Sequence, residues 1–596
     1  MASNHKSENG KGRNPDLKAT ARQLAVYILR NRRIYLLWAV TTLGYIAALV
    51  LIPILVGSAI AAVEQGLPRQ EVFLRCLWIF GAAVLRLGLR FYSRTMVFNG
   101  AREVEYEIRN DLFAHFQRLP QSYFGRQTTG DLMSRCVNDL QSVRLLLGPG
   151  LLNLLQTPIL LTAVFVAMFS INAKLALLSL LPFPIFIWLA RTVAKNLHHW
   201  NVAAQEGLAE LSSQLQETIS GIAVVKSCAM EPMTQARFAE ANEEFYRRQL
   251  SLVRVNSALP TTAMALPALA MWIVLLMGGR DVMAGEMQIS AFFTFAMYVY
   301  ELTFPTFILG WVVALVQRGA AAMQRLNEVL TVDPSVADAP DATPVENLRG
   351  ELEFRNVSFC YPNQEGTPAL QSVSVHVPAG KTLGIVGPVG SGKTTLASLI
   401  PRLSQIEDGQ LLIDGVDVNQ IPLKQLRSAI AMVPQDAFLF SMSLAENIAY
   451  GLPDVDRAAV SEAARRAHLL SDVAELPEGF DTLVGERGVM LSGGQRQRAA
   501  LARALALDPQ ILILDDTLSS VDAETEAAIL HELREVYRGR TVVVITHRVS
   551  AVAEADEIIV LDAGKIVQHG RHEELLAEGG LYARLAQEEA LEEGRV

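Results

Sequence analysis

The sequence predicts an α-helical membrane domain of six transmembrane helices with long cytoplasmic extensions, fused to an α/β P-loop nucleotide-binding domain. Three observations carry that expectation. The first half is crowded with apolar runs, the composition changes abruptly near residues 331–350, and the glycine-rich stretch Gly387–Thr394 follows a short apolar strand. A chain of 596 residues also exceeds one ordinary domain. Hydrophobic residues make up 51% and charged residues 19%, a more apolar balance than soluble proteins show. The net charge of -9, with no dominant basic cluster, argues against nucleic acid as a partner. Cys76, Cys136, Cys228 and Cys360 are scattered and match neither a disulfide framework nor a metal site.

Residues 1–33 form a basic N-terminus, with Lys6, Lys11, Arg13, Lys18, Arg22, Arg30, Arg32 and Arg33 and no signal-peptide pattern. The membrane domain is set at 34–330. Ile34 to Val63 is almost uninterrupted, and about 20 apolar residues cross the hydrocarbon core as a helix. Comparable runs lie near Cys76 to Phe98, Leu151 to Ser170, Leu175 to Ala190, Ala258 to Met277 and Ala291 to Val316. The fourth is short and holds Pro182 and Pro184, yet six spans put both chain ends on one side where five would not. Basic residues mark that side as cytoplasmic: the N-terminal cluster, and Arg102, Arg109, Arg118, Arg126, Arg135 and Arg144 between the second and third runs.

The inside connections, near 100–150 and 191–257, are long and patterned as helices, so the spanning helices extend into the cytoplasm. Each has a distinctive middle, Leu119–Phe124 with Gly130-Asp131 in one and Ser220-Gly221-Ile222 in the other. By themselves these read equally well as plain turns between helices. Arg86, Arg90 and Glu301 fall within spans, where ionisable groups face a cavity or a partner. For the two arginines a structural ion pair or snorkelling is the simpler account, whereas Glu301 is the better cavity candidate.

From 331 to 350, Asp, Ala, Val and Pro334, Pro340 and Pro344 mark a linker. The nucleotide-binding domain is set at 351–596. Glu351 to Phe359 alternates as a strand, and Leu383–Val386 is a short buried strand. After it Gly387, Pro388, Val389, Gly390, Ser391, Gly392, Lys393 and Thr394 match GxxxxGK[ST], with Thr395 next in the following helix. Glycines let backbone N–H groups approach phosphates, Lys393 adds positive charge at the β/γ oxygens, and Thr394 offers a hydroxyl to Mg²⁺. ATP and Mg²⁺ are the expected ligands. Gln510 to Asp516 is an apolar strand ending in two carboxylates: Asp515 is expected to help hold Mg²⁺, and Asp516 to polarise the attacking water.

Between those motifs stands Leu491-Ser492-Gly493-Gly494-Gln495, and here the chain resembles the ATP-binding cassette (ABC) transporters over nearly its whole length. The resemblance assigns Tyr361 to stacking on adenine, Gln435 to sensing Mg²⁺ and the membrane domain, and His547 to the γ-phosphate. Gly485–Gly488 resembles an exporter-type contact to the cytoplasmic loops, and Ser519–Asp522 a segment that reaches the dimer interface and brings Asp522 near nucleotide. It also turns the two loop middles, near 119–131 and 219–226, into expected coupling helices of the type IV exporter fold. In this family the signature Ser492, Gly493, Gly494 and Gln495 of one cassette closes on the nucleotide held by the other, so a chain with one cassette must dimerise.

Most active cassettes carry glutamate after the Mg²⁺-associated aspartate, and here Asp516 stands in its place. That departure resembles the weak-site subunit of heterodimeric bacterial multidrug exporters. It implies a partner half-transporter with glutamate at that position and an altered signature. A homodimer hydrolysing ATP slowly through Asp516 is the alternative. The expected function is export of amphipathic drug- or lipid-like molecules from a bacterial inner membrane, with both termini and the cassette cytoplasmic. Peptide export, or an ATP-gated channel or sensor, is the alternative.

Overall fold

A computed structural model of the chain describes residues 17–361, 368–485, 488–517, 529, 533 and 538–592. It divides into two compact units, the first comprising Met1–Ala114 and Gly130–Thr331, the second His115–Thr129 and Val332–Val596.

The first unit is helical. Among the described residues, Arg32–Glu64, Arg69–Phe116 and Thr129–Ile171 are long and apolar enough to cross a membrane. The later helices mix apolar runs with polar extensions, namely Ala173–Leu180, Pro182–Ser220, Glu231–Ile273, Ile289–Glu301 and Thr303–Leu330. At ~1.5 Å per residue the 48 residues of Arg69–Phe116 and the 43 of Glu231–Ile273 far outrun a hydrocarbon core of about 30 Å. The single run read from Leu175 to Ala190 breaks instead at Leu181. Pro182 opens the next helix, where its missing N–H costs nothing and its fixed φ suits the first turn. Asn172 caps Ala173–Leu180 by accepting the Leu175 N–H at 3.0 Å.

The core of this unit gathers Tyr45 and Leu49, Val164 and Met168, Val274, and Phe295 and Tyr298 from different helices. Arg32–Glu64 and Ile289–Glu301 approach closely enough for side chains to bond the opposite backbone. Tyr298 donates to the Val50 carbonyl at 2.7 Å and Thr294 to the Pro53 carbonyl at 3.2 Å. Gly57 permits this approach, since a Cβ there would lie 2.1 Å from Thr294 Oγ1. Among the described residues three π-helical turns, Arg135–Asp139, Leu146–Gly150 and Val274–Gly278, interrupt the long helices.

Among its described residues the second unit carries two sheets. The strands are β1 (Leu352–Phe359), β2 (Leu370–Val377), β3 (Thr382–Val386), β4 (Leu411–Ile413), β5 (Val416–Asp417), β6 (Ile430–Val433), β7 (Ile511–Asp515), β8 (Thr541–Thr546), β9 (Glu557–Asp562) and β10 (Lys565–Gly570). The smaller sheet runs β2-β1-β4-β5 and the larger β10-β9-β3-β8-β7-β6. In the larger sheet β9, β3, β8, β7 and β6 are parallel neighbours. Such strands are covered on both faces, which is why β7 and β8 read as unbroken apolar runs and are buried throughout. Alternate residues feed two separate cores: Leu512, Leu514, Val542 and Val544 on one face, Ile511, Ile513, Val543 and Ile545 on the other.

The linker region packs onto this unit rather than standing free. Thr343 N–H donates to the Gln420 carbonyl at 3.1 Å, Asp338 accepts the Leu423 N–H at 2.7 Å, and Arg402 reaches the Ala337 carbonyl at 3.0 Å. The first loop middle contains the short helix Gln121–Phe124 and falls within this second unit, whereas the other, Ile222–Ser227, belongs to the first.

Candidate nucleotide site

Parallel strands deliver their carboxyl ends to one edge of a sheet, where ligands of open α/β folds bind. Here Val386 of β3 is in register with Thr546 of β8, Asp515 of β7 with Ile545, and Leu514 with Val433 of β6. The residues that follow, Gly387, His547, Asp516 and Pro434-Gln435, therefore emerge side by side.

The loop after β3 owes its shape to glycine. Gly387 has φ +155°, and a Cβ on it would sit 2.1 Å from the Leu561 carbonyl oxygen; Gly390 and Gly392 also have positive φ. Pro388 and Val389 form the outer part, with Val389 88% exposed. Ser391 is buried, its Oγ has no hydrogen-bond partner, and its N–H donates to the Pro388 carbonyl at 3.2 Å. Lys393 opens the helix Lys393–Leu399 and turns back on the loop, donating to the carbonyls of Gly387 at 2.7 Å and Pro388 at 2.8 Å. Burial pushes its ammonium pKa down, opposed by Asp516 and Asp515.

Thr394 donates its hydroxyl to Asp515 at 3.0 Å. Burial holds the Asp515 carboxyl above its usual range, with the Thr394 bond pulling the other way. Asp516 has φ +46°, in the left-handed region that aspartate tolerates better than most side chains. Its N–H is tied to the Ile545 carbonyl at 2.8 Å. Its carboxylate accepts from Gln435 Nε2 at 3.2 Å and lies 3.9 Å from His547 Nε2. Thr395 shares a 3.0 Å hydrogen bond with the Tyr361 hydroxyl, and the Tyr361 ring meets Phe359 edge-on. A cleft of about 1400 Å³ opens here, lined by Tyr361, Thr394, Gln435 and Asp515 together with Gln121 and Phe124 of the short helix.

Ser492 is the N-cap of the helix Gly493–Ala506. It accepts the Gln495 N–H at 3.2 Å, while Gln495 accepts the Ser492 N–H at 2.9 Å in a capping box. Gly493 and Gly494 form the first turn, so free N–H groups and the positive helix end are presented together. None of these four residues lines the cleft beside Thr394. Asp522, with Ser519–Val521, and Glu486 and Arg487 of the Gly485–Gly488 motif lie outside the described residues.

Sequence reasoning passed over Asp472. It receives Gln495 at 3.3 Å and Arg498 through two 2.9 Å bonds, fixing the signature helix from a residue twenty-odd positions away. No spacing signal connects them. The orphaned Ser391 hydroxyl is the other omission, since only the folded loop buries it.

The arrangement fits nucleotide. The buried Ser391 hydroxyl lacks a partner, Lys393 has a third N–H to give, and backbone approaches where no Cβ could stand. It also fits Mg²⁺, a hard cation that accepts hydroxyl and carboxylate oxygens such as those of Thr394 and Asp515.

A family model described as "ABC transporter transmembrane region" matches residues 35–306, and one described as "ABC transporter" matches residues 370–519. The chain is 36% identical over 532 residues to the probable multidrug resistance ABC transporter ATP-binding/permease protein YheI of Bacillus subtilis (strain 168), covering 89% of this chain and 91% of that one. It is 35% identical over 497 residues to an ATP-dependent lipid A-core flippase of Syntrophus aciditrophicus (strain SB), covering 83% and 82%. A solved structure of a bacterial Atm1-family ABC exporter with ATP bound matches with a TM-score of 0.74 and 29% identity, over 96% of this chain and 99% of that one. The chain thus belongs to the ABC transporter family, as an exporter that fuses a transmembrane and an ATP-binding domain and couples ATP hydrolysis to transport.

Proposed function

We propose that this chain is one half of a dimeric exporter that moves amphipathic molecules, of drug or lipid type, out across a bacterial inner membrane by alternating access. We further propose that its partner is a different half-transporter. The carrying observation is the division of the cassette: Thr394, Asp515 and Gln435 line one cleft, with Asp516 bonded to Gln435, while the Ser492 cap stands outside it. A phosphate loop without signature contacts neutralises only part of the charge that ATP hydrolysis develops. A second chain's signature completes the site, and this chain's Ser492 completes the other.

In this reading the Gly387–Gly392 backbone and the Ser391 hydroxyl bind phosphate oxygens, and Lys393 exchanges its loop carbonyls for the β/γ oxygens. Tyr361 presents its ring to adenine. Thr394 and Asp515 would hold Mg²⁺, which would supply charge neutralisation at the phosphates. Gln435 orients Asp516, which accepts a proton from the attacking water, and His547 donates to the γ-phosphate. Six spanning helices support alternating access, with basic flanks toward the cytoplasm. The loop helices Gln121–Phe124 and Ile222–Ser227 couple closure of the cassettes to those spans.

Asp516 sets the asymmetry. It is one methylene shorter than glutamate, and a base displaced by about 1 Å loses on the order of a hundredfold in rate. Its contacts with Gln435 and His547 support the reading of a slow site that holds ATP while the partner's site consumes it. The multidrug and lipid flippase relatives support an amphipathic substrate. Uptake of a fluorescent amphipath into inside-out vesicles tests the export reading. ATP-dependent accumulation against a gradient is expected, and flux that only follows the gradient would indicate a channel.

A further inference from the structure

A small pocket of mixed polar and apolar lining lies in the helical unit. Its volume is about 140 Å³, and it is lined by Arg86, Arg90 and Arg94 of Arg69–Phe116, Gln156 of Leu151–Ile171, and Glu301 and Tyr45. The three arginines are spaced i, i+4, i+8, which places them in one row along a helix face spanning roughly 12 Å. Arg86 is neutralised by Glu301 at 3.1 Å, and its guanidinium lies 5.8 Å from the Tyr45 ring centre. Among the described residues neither Arg90 nor Arg94 meets a carboxylate. One acid against three arginines leaves the pocket with two uncompensated positive charges.

Uncompensated charge along a spanning helix is costly and marks a cavity, a partner or a ligand path. Arg90 and Arg94 are exposed and line this pocket together with the amide side chain of Gln156, an arrangement that suits a compensating anion. The volume decides how much of a ligand enters, because drug-sized molecules occupy roughly 300–1,000 Å³. A carboxylate or phosphate headgroup fits about 140 Å³; its hydrocarbon does not. Apolar side chains flank the row at the same level, with Leu87 69% and Phe91 65% exposed, and offer that hydrocarbon a surface.

We propose that the Arg86–Arg90–Arg94 pocket binds the anionic headgroup, carboxylate or phosphate, of an amphipathic transport substrate, with Glu301 fixing Arg86 and leaving Arg90 and Arg94 to pair with the anion. This rests on the export reading above and narrows its substrate class to acidic amphipaths. Arg guanidinium suits the role because its planar donors engage carboxylate or phosphate oxygens two at a time.

The test uses the full-length transporter in its native assembly, in phosphatidylcholine nanodiscs without nucleotide, with binding to empty nanodiscs subtracted. The probes are dodecyl phosphate, dodecanoate, dodecylphosphocholine and inorganic phosphate. The two acidic amphipaths should bind at least tenfold tighter than dodecylphosphocholine. Combining Arg90→Gln with Arg94→Gln should abolish that preference, and Arg90→Lys with Arg94→Lys should restore most of it. Equal affinity for acidic and zwitterionic probes in the unaltered transporter overturns the proposal, whatever the variants do. A preference that survives the double Gln substitution also overturns it, as does inorganic phosphate binding as tightly as dodecyl phosphate. ATP-driven flux of the same probes separates the two readings. Headgroup preference without flux defeats export and leaves the pocket, whereas flux without headgroup preference defeats the pocket and leaves export.

Discussion

Asp515 shows how a single buried carboxylate trades stability for chemistry. Burial raises its pKa in the folded, nucleotide-free chain, so folding favours the protonated form. The sign follows: its stabilising contribution is full below the ordinary aspartate range and is lost as pH rises through the folded value. Asp515→Asn keeps an oxygen to accept the Thr394 hydroxyl and removes the charge. Nucleotide-free thermal melts should therefore place the variant above the parent at pH 8, with the gap closing as pH falls toward the carboxylate range. ATP turnover at this chain's own site, measured on the chain purified without a partner, should fall by about 10²–10³ in the same variant, the usual loss when a charge-stabilising group is removed. An unchanged melt at pH 8 would mean that burial does not penalise this carboxylate. Much at this scale was legible from the chain alone, because Gly387–Thr394 and Asp515-Asp516 sit after apolar strands that can only be central. What was not legible is folded-state information: that Lys393 turns onto its own loop, that Ser391 is orphaned, and that Asp472 anchors Gln495.

At the scale of elements, the signature is a helix start before it is a ligand site. Ser492 closes a capping box with Gln495, and replacing an N-cap serine by alanine costs about 1 kcal/mol. Ser492→Ala should thus lower the cassette's stability by that amount, read from denaturant unfolding, and separately impair hydrolysis in the dimer; Ser492→Thr should recover most of the stability. In the helical unit, Gly57→Ala would place a Cβ against Thr294 and break its bond to the Pro53 carbonyl. Overpacking of this kind costs about 1–3 kcal/mol, so the melting temperature in detergent should drop, and Gly57→Ala combined with Thr294→Ala, which removes the clashing oxygen, should recover part of it. Helices were readable where composition is uniform and less so where it is not. The long polar extensions were foreseen from spacing, but the break at Leu181 depends on which proline starts the next helix. The residues between Thr331 and Gly350 read as a linker by composition, and the hydrogen bonds of Asp338, Thr343 and Val345 show them lying on the cassette.

At the scale of the whole molecule, the chain carries one phosphate loop, one signature and one membrane half, so its chemistry is a property of a pair. In the proposed pair each site draws its loop from one chain and its signature from the other, so damage to this chain has opposite meanings for the two sites. Lys393→Ala should disable only the site built on this chain's own loop, and Ser492→Ala only the partner's. If the partner's site supplies nearly all turnover, Ser492→Ala should reduce steady-state ATPase far more than Lys393→Ala does; equal losses would argue for two equivalent sites. The central claim, an exporter half whose own site is slow because of Asp516, is tested most directly by the ATPase rate of this chain purified without any other half-transporter, compared with its Asp516→Glu variant. The account predicts slow hydrolysis by the chain alone and a rise of about tenfold to a hundredfold with glutamate, the range expected for correcting a base misplaced by ~1 Å. Ordinary transporter rates from the unaltered chain, with no gain from Asp516→Glu, would contradict it.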